Sequence, residues 1–377
     1  MNKLPPGRPT ICLIDHGALR WNLRQIRAKV GGQVKILSMV KANAYGHGAV
    51  AAAKTLAAAG SDAFGVATLD EGIELRQSGV GAPIVVVAGV YADQLEQFFS
   101  HALTPVIYDL SGLTELDAAV GKRRATLDIH LKIDTGMGRL GLCASEIESW
   151  LPSLHALGAL KIIGIFSHFS TAESVDGDYT KMQLEIFTRV VARLRAAGMT
   201  ALFHFANSAA TITQPAAYFD MVRPGIMLYG AYPSPAMAQQ ITLKPVLTWQ
   251  TKIVQLKKVP AATSISYGQT FITKRESLIA TLPVGYADGY HRALSNRGEA
   301  LVRGQRAPVA GRVCMDLTML DVTDIRNVQQ GDEVVLLGRQ GGAEISADEM
   351  AGWANTISYE IFTSIGARVP RIHINML

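Results

Sequence analysis

The sequence has little of what would staple a small fold or hold a metal. It contains three cysteines in 377 residues, Cys12, Cys143 and Cys314. They lie far apart with no two-residue spacing, so neither a disulfide framework nor a metal site is expected. Long apolar runs are also missing. No stretch approaches the roughly 18 residues of a membrane helix, and Asp15 and His16 interrupt the only N-terminal one. A soluble, cytoplasmic chain with no membrane partner is the expectation. Charge of one sign is scarce too: 36 Lys plus Arg against 31 Asp plus Glu leave +5. Basic runs are short, such as Lys257–Lys258 and Lys122, Arg123, Arg124. Nucleic-acid binding therefore lacks a clustered footprint, and the small surplus suits anionic small molecules. What is present is apolar mass. With 49% hydrophobic and 18% charged residues, the chain can bury a large core. Its length exceeds the roughly 250 to 300 residues of a single core, which predicts two domains or a barrel with an appendage.

Apolar, β-branched runs alternate with helical patterns from residue 15 to residue 230. Eight strands are predicted, near 35–41, 63–68, 83–89, 104–109, 125–134, 160–168, 202–207 and 221–229. Most are continuous hydrophobic runs, the pattern of strands covered on both faces. The segments between them have helical spacing, as in Met182, Ile186, Val190 and Leu194, closed by Gly198. Before the first strand, Asp15 is a candidate cap for a helix with Leu19, Leu23, Ile26 and Val30 on one face. Eight strands separated by helices fit an α/β fold of the closed (β/α)8, or TIM-barrel, kind better than an open sheet. After Tyr229, prolines at 233, 235 and 245 mark a linker, and the pattern turns to alternation, as in LTWQTKIVQLKKV. The expected domains are a barrel over 15–240 and a mostly β domain over 241–377, which residues 1–14 can join. The β domain is expected to hold one helix, opened by a capping box of Ser346 and Glu349, with Met350, Trp353, Ile357, Ile361 and Ile365 on one face.

The first strand delivers Lys41 into SMVKANAYGHG. Barrel chemistry sits at C-terminal strand ends, where a lysine with a desolvated tail can lose its proton and form an imine. Taken alone, Lys41 reads first as an ordinary solvated lysine after a strand. Its company is what counts: Arg139 follows strand five, His168 closes strand six, Asn207 and Ser208 end strand seven, and Arg223 lies on strand eight beside Gly225. The turn after strand eight is where barrels hold phosphate on backbone N–H groups. An imine-forming lysine with a phosphate cradle points to pyridoxal phosphate.

These motifs identify a resemblance. The chain resembles the bacterial alanine racemases in VKANAYGHG, LKIDTGMGRLG, SHFS, HFANSAA, RPGIMLYG, SISYGQT, GYADGY, RVCMD and TISYE, in that order along nearly the whole chain. The resemblance implies that Lys41 carries pyridoxal 5'-phosphate as an aldimine. It implies also that Tyr45, Ser208, Gly225, Ile226 and Tyr359 hold the phosphate. Arg139 matches the residue near the cofactor's phenolic oxygen and the substrate carboxylate, and Arg223 the partner of the ring nitrogen. His168 is expected to fix Arg223, although a strand-end histidine is as often purely structural. Lys132 matches a position that carries a carbamate in some members; a plain Lys132 salt bridge is the alternative.

Inversion at a planar carbon needs a proton carrier on each face. By resemblance these are Lys41 and Tyr267, the latter reaching the other subunit of a homodimer; a tyrosine merely packed on a strand is the competing reading. Met315 is implied in substrate-carboxylate binding, with Asp316 and Tyr286 near the entrance. The implied activity is interconversion of L- and D-alanine, supplying D-alanine for peptidoglycan or degrading it. A related decarboxylase lacks support because its cysteine context and glycine-rich phosphate loop are missing. A non-catalytic pyridoxal-phosphate protein has no counterpart to residues 241–377, and the broad-specificity racemases carry export signals.

Overall fold

The computed structural model describes residues 7–174 and 177–376. Residues 1–6, part of the segment expected to join the β domain, lie outside the described residues. The chain forms two compact units. One comprises Leu19–Ala44 and Ala49–Leu243; the other takes the chain up to Ala18, the short piece Tyr45–Gly48, and Lys244–Leu377.

The first unit is a closed parallel barrel. Its strands are Lys35–Met39, Ala63–Val66, Ile84–Val86, Thr104–Ile107, Leu127–Asp134, Leu160–Phe166, Leu202–His204 and Met221–Val222. Each pairs with the next in chain order, and the last returns to the first through Met221 opposite Lys35. A two-residue strand, Leu142–Cys143, adds to the fifth. The strand residues are buried because they face side chains inward and helices outward, as at Ile36, Ile84, Ile129, Leu131 and Ile165. Helix His16–Val30 starts as its sequence requires, with Asp15 Oδ1 accepting the N–H groups of Gly17 and Ala18 at 2.7 and 3.2 Å. The buried stripe of helix Asp178–Ala196 differs from expectation. It runs through Gln183, Phe187, Val190 and Leu194, and Met182 is exposed. The rotation seats Phe187 against Phe205 and Phe219, at ring distances of 4.9 and 5.2 Å.

The second unit is mostly β. Its main sheet runs Gln305–Pro308, Glu299–Val302, Glu333–Gln340, Leu247–Lys252, Ile11–Asp15, Arg371–Ile374. The N-terminal strand thus lies between two strands from the far end of the chain. A three-stranded sheet, Gln255–Val259, Ser277–Leu282 and Thr318–Asp321, and a short hairpin, Ser264–Ile265 with Phe271–Ile272, complete it. The single helix expected after Ser346 is in fact two, Ala347–Ala354 and Ser358–Ser364. Asn355 between them is left-handed (φ 56°), the conformation that ends a helix and that asparagine tolerates. Ile357, expected on the buried face, is consequently exposed. Ser346 accepts the Glu349 N–H at 3.1 Å, but the Glu349 carboxylate binds Arg306 rather than closing a capping box. Among the described residues no helix is long and apolar enough to cross a membrane.

Candidate active site

Lys41 follows the first barrel strand with only Val40 between, and the next four residues are left-handed: Ala42, Asn43, Ala44 and Tyr45 all have φ between 52° and 54°. None is glycine, so each carries a cost of about 1–2 kcal/mol that neighbouring contacts must offset. The Ala44 N–H reaches Val40 O at 2.8 Å, and Asn43 Oδ1 accepts the Ala49 N–H at 2.8 Å. Burial first, and then the charge of Arg139, lower the Lys41 ammonium below its usual range, with Glu71 acting in the opposite sense. Arg139 is itself solvent-exposed on the loop after the fifth strand, yet its charge acts on Lys41, Lys132 and His168 alike.

Arg223 is fully enclosed. Nη1 donates to His204 Nδ1 at 2.9 Å and His204 O at 3.0 Å; Nη2 donates to Ser167 O at 2.6 Å, Phe205 O at 3.1 Å and His168 Nδ1 at 3.3 Å. Its Nε–H has no partner among the described residues. With no carboxylate beside it, burial pushes Arg223 down to about 9, which leaves it cationic at neutral pH. Because guanidinium only donates, His204 Nδ1 must accept, and the His204 proton sits on Nε2, where it can be donated to His130 Nδ1 at 3.1 Å. This His204–His130 pair was not foreseen, since both residues sit inside apolar strand runs that give no functional signal. Gly164 makes the pair possible: a methyl there would overlap the His130 ring.

Lys132, also buried, lies with its Nζ 5.1 Å from the Phe166 ring, whose other neighbours are the Arg223 guanidinium at 4.9 Å and the stacked His204 ring at 4.8 Å. Burial, then Arg223 and Arg139, lower it to about 7. The salt bridge considered for Lys132 does not form among the described residues; a cation over an aromatic face takes its place. At the end of the seventh strand Asn207 uses its Oδ1 to cap the helix Ser208–Thr213 through the Ala210 N–H at 3.0 Å. Ser208 Oγ accepts the Gly225 N–H at 2.8 Å, so the starts of Ser208–Thr213 and of the turn Ile226–Tyr229 are held together.

These residues fit an anionic group. Four basic side chains gather here: Arg139 acts on both Lys41 and Lys132, and Arg223 on Lys132, while among the described residues Glu71 opposes at Lys41 and Asp134 at Lys132. A guanidinium N–H without a protein partner and two backbone turns joined by a serine add donors suited to a phosphate and a ring nitrogen.

The buried histidines make a prediction about acid stability. Burial, and then the charge of Arg223, depress His168 and His204 well below their usual range and His130 to about 3. In the unfolded chain each takes a proton below about 6.5, which the native state refuses. Stability should be full above that pH and fall below it, by up to about 1.4 kcal/mol per pH unit for each histidine. Urea midpoints at pH 7.5 and 5.5 check this; a flat profile would contradict buried neutral imidazoles.

The remaining candidates lie in the β unit. Tyr45 is buried with its ring 6.0 Å from that of Tyr359, and burial raises its phenol above the usual range, keeping it a donor. Tyr267 is 71% exposed at the tip of the hairpin, between Ser266 (φ 64°) and Gly268 (φ 72°). Ser266 Oγ anchors this strained tip to Arg312 O at 2.6 Å. The segments bearing Tyr286 and Met315 are zipped together by the Tyr286 N–H on Cys314 O and the Ala287 N–H on Met315 O, both at 3.0 Å. Gly285 permits this approach, because a methyl there would overlap both carbonyl oxygens. Asp316 accepts from Arg368 at 2.7 Å, and Arg368 also faces the buried Asp288.

A (β/α)8 barrel with this cationic mouth and its imine-capable lysine, followed by a β domain, fits a class: pyridoxal-phosphate enzymes of the barrel-plus-β-domain kind. Residues 14–233 match the alanine racemase N-terminal domain and residues 246–373 its C-terminal domain. The chain is 47% identical to the alanine racemase of Halothermothrix orenii, over 98% of both chains. Among solved structures it is similar to the alanine racemase of Bacillus anthracis with bound L-Ala-P, with 36% identity, TM-score 0.92, and 99% and 96% of the chains covered. It is similar also to that of Bartonella henselae with covalently bound pyridoxal phosphate, with 31% identity, TM-score 0.87, and 98% and 100% covered. The chain belongs to the alanine racemase family.

Proposed function

We propose that this chain interconverts L- and D-alanine with pyridoxal phosphate bound at the barrel mouth, working in the cytoplasm as a homodimer. The observation that carries the reading is the cationic set around Lys41, which has a lowered ammonium and little carboxylate to balance it. Once bound, the cofactor supplies an electron sink that weakens the alanine Cα–H bond. Lys41 would hold the cofactor in the resting enzyme and, once its amine is freed by the substrate, would carry the Cα proton on one face. Ser208, Gly225, Ile226, Tyr45 and Tyr359 hold its phosphate. Arg223 would offer a hydrogen bond to the ring nitrogen and, staying cationic, would keep its own proton and leave that nitrogen unprotonated. His168 and His204 keep Arg223 in place, and Asn207 does the same for Ser208. Arg139 binds the substrate carboxylate. Lys132, lowered to about 7, is partly neutral at physiological pH, the form that a carbamate requires; such an anion would orient Arg139.

Tyr267 of the partner subunit moves the proton on the opposite face, and Met315 of the partner subunit assists at the carboxylate, with Tyr286 and Asp316 near the entrance. The exposure of Tyr267 and Met315, at 71% and 53%, supports a role at a subunit interface. Chiral chromatography of L-alanine incubated with protein and cofactor should show D-alanine approaching an equal mixture. Lys41→Ala and Tyr267→Ala should each be inactive, yet an equimolar mixture after subunit exchange should regain about a quarter of wild-type activity, since half the dimers carry one intact site. No recovery after verified exchange would count against a shared site, and no D-alanine from the wild type would sink the reading.

A further inference from the structure

Glu71 lies on the helix Leu69–Gln77 that follows the second barrel strand. Its Oε2 accepts the N–H groups of Ala67 at 2.7 Å and Thr68 at 3.3 Å, while the Glu71 N–H returns to Thr68 Oγ1 at 3.4 Å. That completes a capping box and accounts for one carboxylate oxygen. The other is not needed for the cap. Oε1 leaves its own βα unit and accepts the Ala42 N–H at 2.6 Å. Ala42 is the residue after Lys41 and the first of the left-handed residues Ala42, Asn43, Ala44 and Tyr45.

We propose that Glu71 is a positioning residue for Lys41: it fastens the amide that follows the lysine and sets one negative charge against the cations around it. Three observations converge on this. The turn is left-handed over four non-glycine residues and persists only if surrounding contacts determine it. Its first amide is held by a charged acceptor at short distance, among the stronger hydrogen bonds available. The groups facing Lys41 from the other elements are Arg139 after the fifth strand, Lys132 on the fifth and His168 after the sixth. None is an anion, so Glu71 alone among the described residues supports the protonated lysine. Removing it therefore lowers the Lys41 pKa further and frees the turn.

The inference rests on Lys41 being the reactive lysine, and the test separates the two ideas. The full chain, stripped of cofactor, is labelled with acetic anhydride across a pH series, and the Lys41 peptide is quantified by mass spectrometry. Wild-type Lys41 should titrate below the exposed lysines. Glu71→Gln, whose amide can satisfy Ala42 or Ala67 but not both, should lower the Lys41 midpoint by about one pH unit. Thr68→Ala, which removes the cap from the same helix but leaves the carboxylate, should leave the midpoint at the wild-type value. Hydrogen exchange of the peptide spanning residues 41–48, on protein as purified, should be at least about tenfold faster in Glu71→Gln. Glu71→Asp, too short to span both partners, should speed exchange while retaining the charge, and it serves if Glu71→Gln is not recovered folded. An unmoved midpoint with unchanged exchange in Glu71→Gln overturns the proposal, as does an equal shift in Thr68→Ala. A wild-type Lys41 that titrates like an exposed lysine removes the reading of the site, and this inference with it.

Discussion

Tyr267→Phe should lower racemisation by roughly 10²- to 10⁴-fold, the range that a positioned proton carrier contributes. The variant keeps the ring and loses only the hydroxyl, and the tip that carries it stays anchored through Ser266 Oγ on Arg312 O. Folding should therefore be unaffected. The loss should also be one-sided. In the proposed two-base scheme, with Lys41 on the D-alanine side and Tyr267 on the L-alanine side, the variant should still exchange the α proton of D-alanine in deuterium oxide. L-alanine should exchange far more slowly, and interconversion should nearly cease. Near wild-type racemisation, or equal exchange of both enantiomers, would mean that another residue serves the second face.

Arg223→Glu should combine lost activity with lost stability. The arginine satisfies three backbone carbonyls, those of Ser167, His204 and Phe205, as well as two imidazole nitrogens. A carboxylate offers them no donor and repels the carbonyl oxygens. Each unpaired buried acceptor costs about 1–3 kcal/mol, so the variant should lose roughly 3 kcal/mol or more by urea unfolding of cofactor-free protein. Racemisation should fall at least about tenfold, because the group lost is the one proposed to donate to the cofactor ring. An unchanged urea midpoint together with an unchanged rate would show that Arg223 neither supports the strand ends nor serves the site.

Much of this architecture could be read from the sequence, for physical reasons that also explain what could not. The barrel strands are buried on both faces, so most are continuous apolar runs, and their ends pointed to Lys41, His168, Ser208 and Arg223 as candidates. Residues acting through others left weaker traces. His130 and His204 sit within strands and are distinguishable from core histidines only once Arg223 is seen to need an acceptor. Glu71 appears as an ordinary helix-start glutamate; the T-x-x-E pattern at Thr68 is a local signal for its cap that the sequence reading passed over, whereas its reach to Ala42 depends on packing between successive βα units. The strand Ile11–Asp15 pairs with residues more than 230 positions away, and no local pattern reports such a partner. The left-handed turn after Lys41 was equally silent, because alanine and tyrosine seldom adopt it unless tertiary contacts compel them. The helix break at Asn355 did have a signal, an asparagine inside an apolar period, outweighed by the regular spacing of Met350, Trp353 and Ile357.

The central claim is that Lys41 is the lysine that holds the cofactor, and the site itself supplies a credible rival in Lys132, whose ammonium is lowered to about 7. Borohydride reduction of the protein as purified, followed by proteolysis and mass spectrometry, fixes the pyridoxyl group on the lysine that bore it. The expected result is one modified peptide, carrying the label on Lys41 in VKANAYGHG. A label on Lys132, or on any other lysine, would contradict the account.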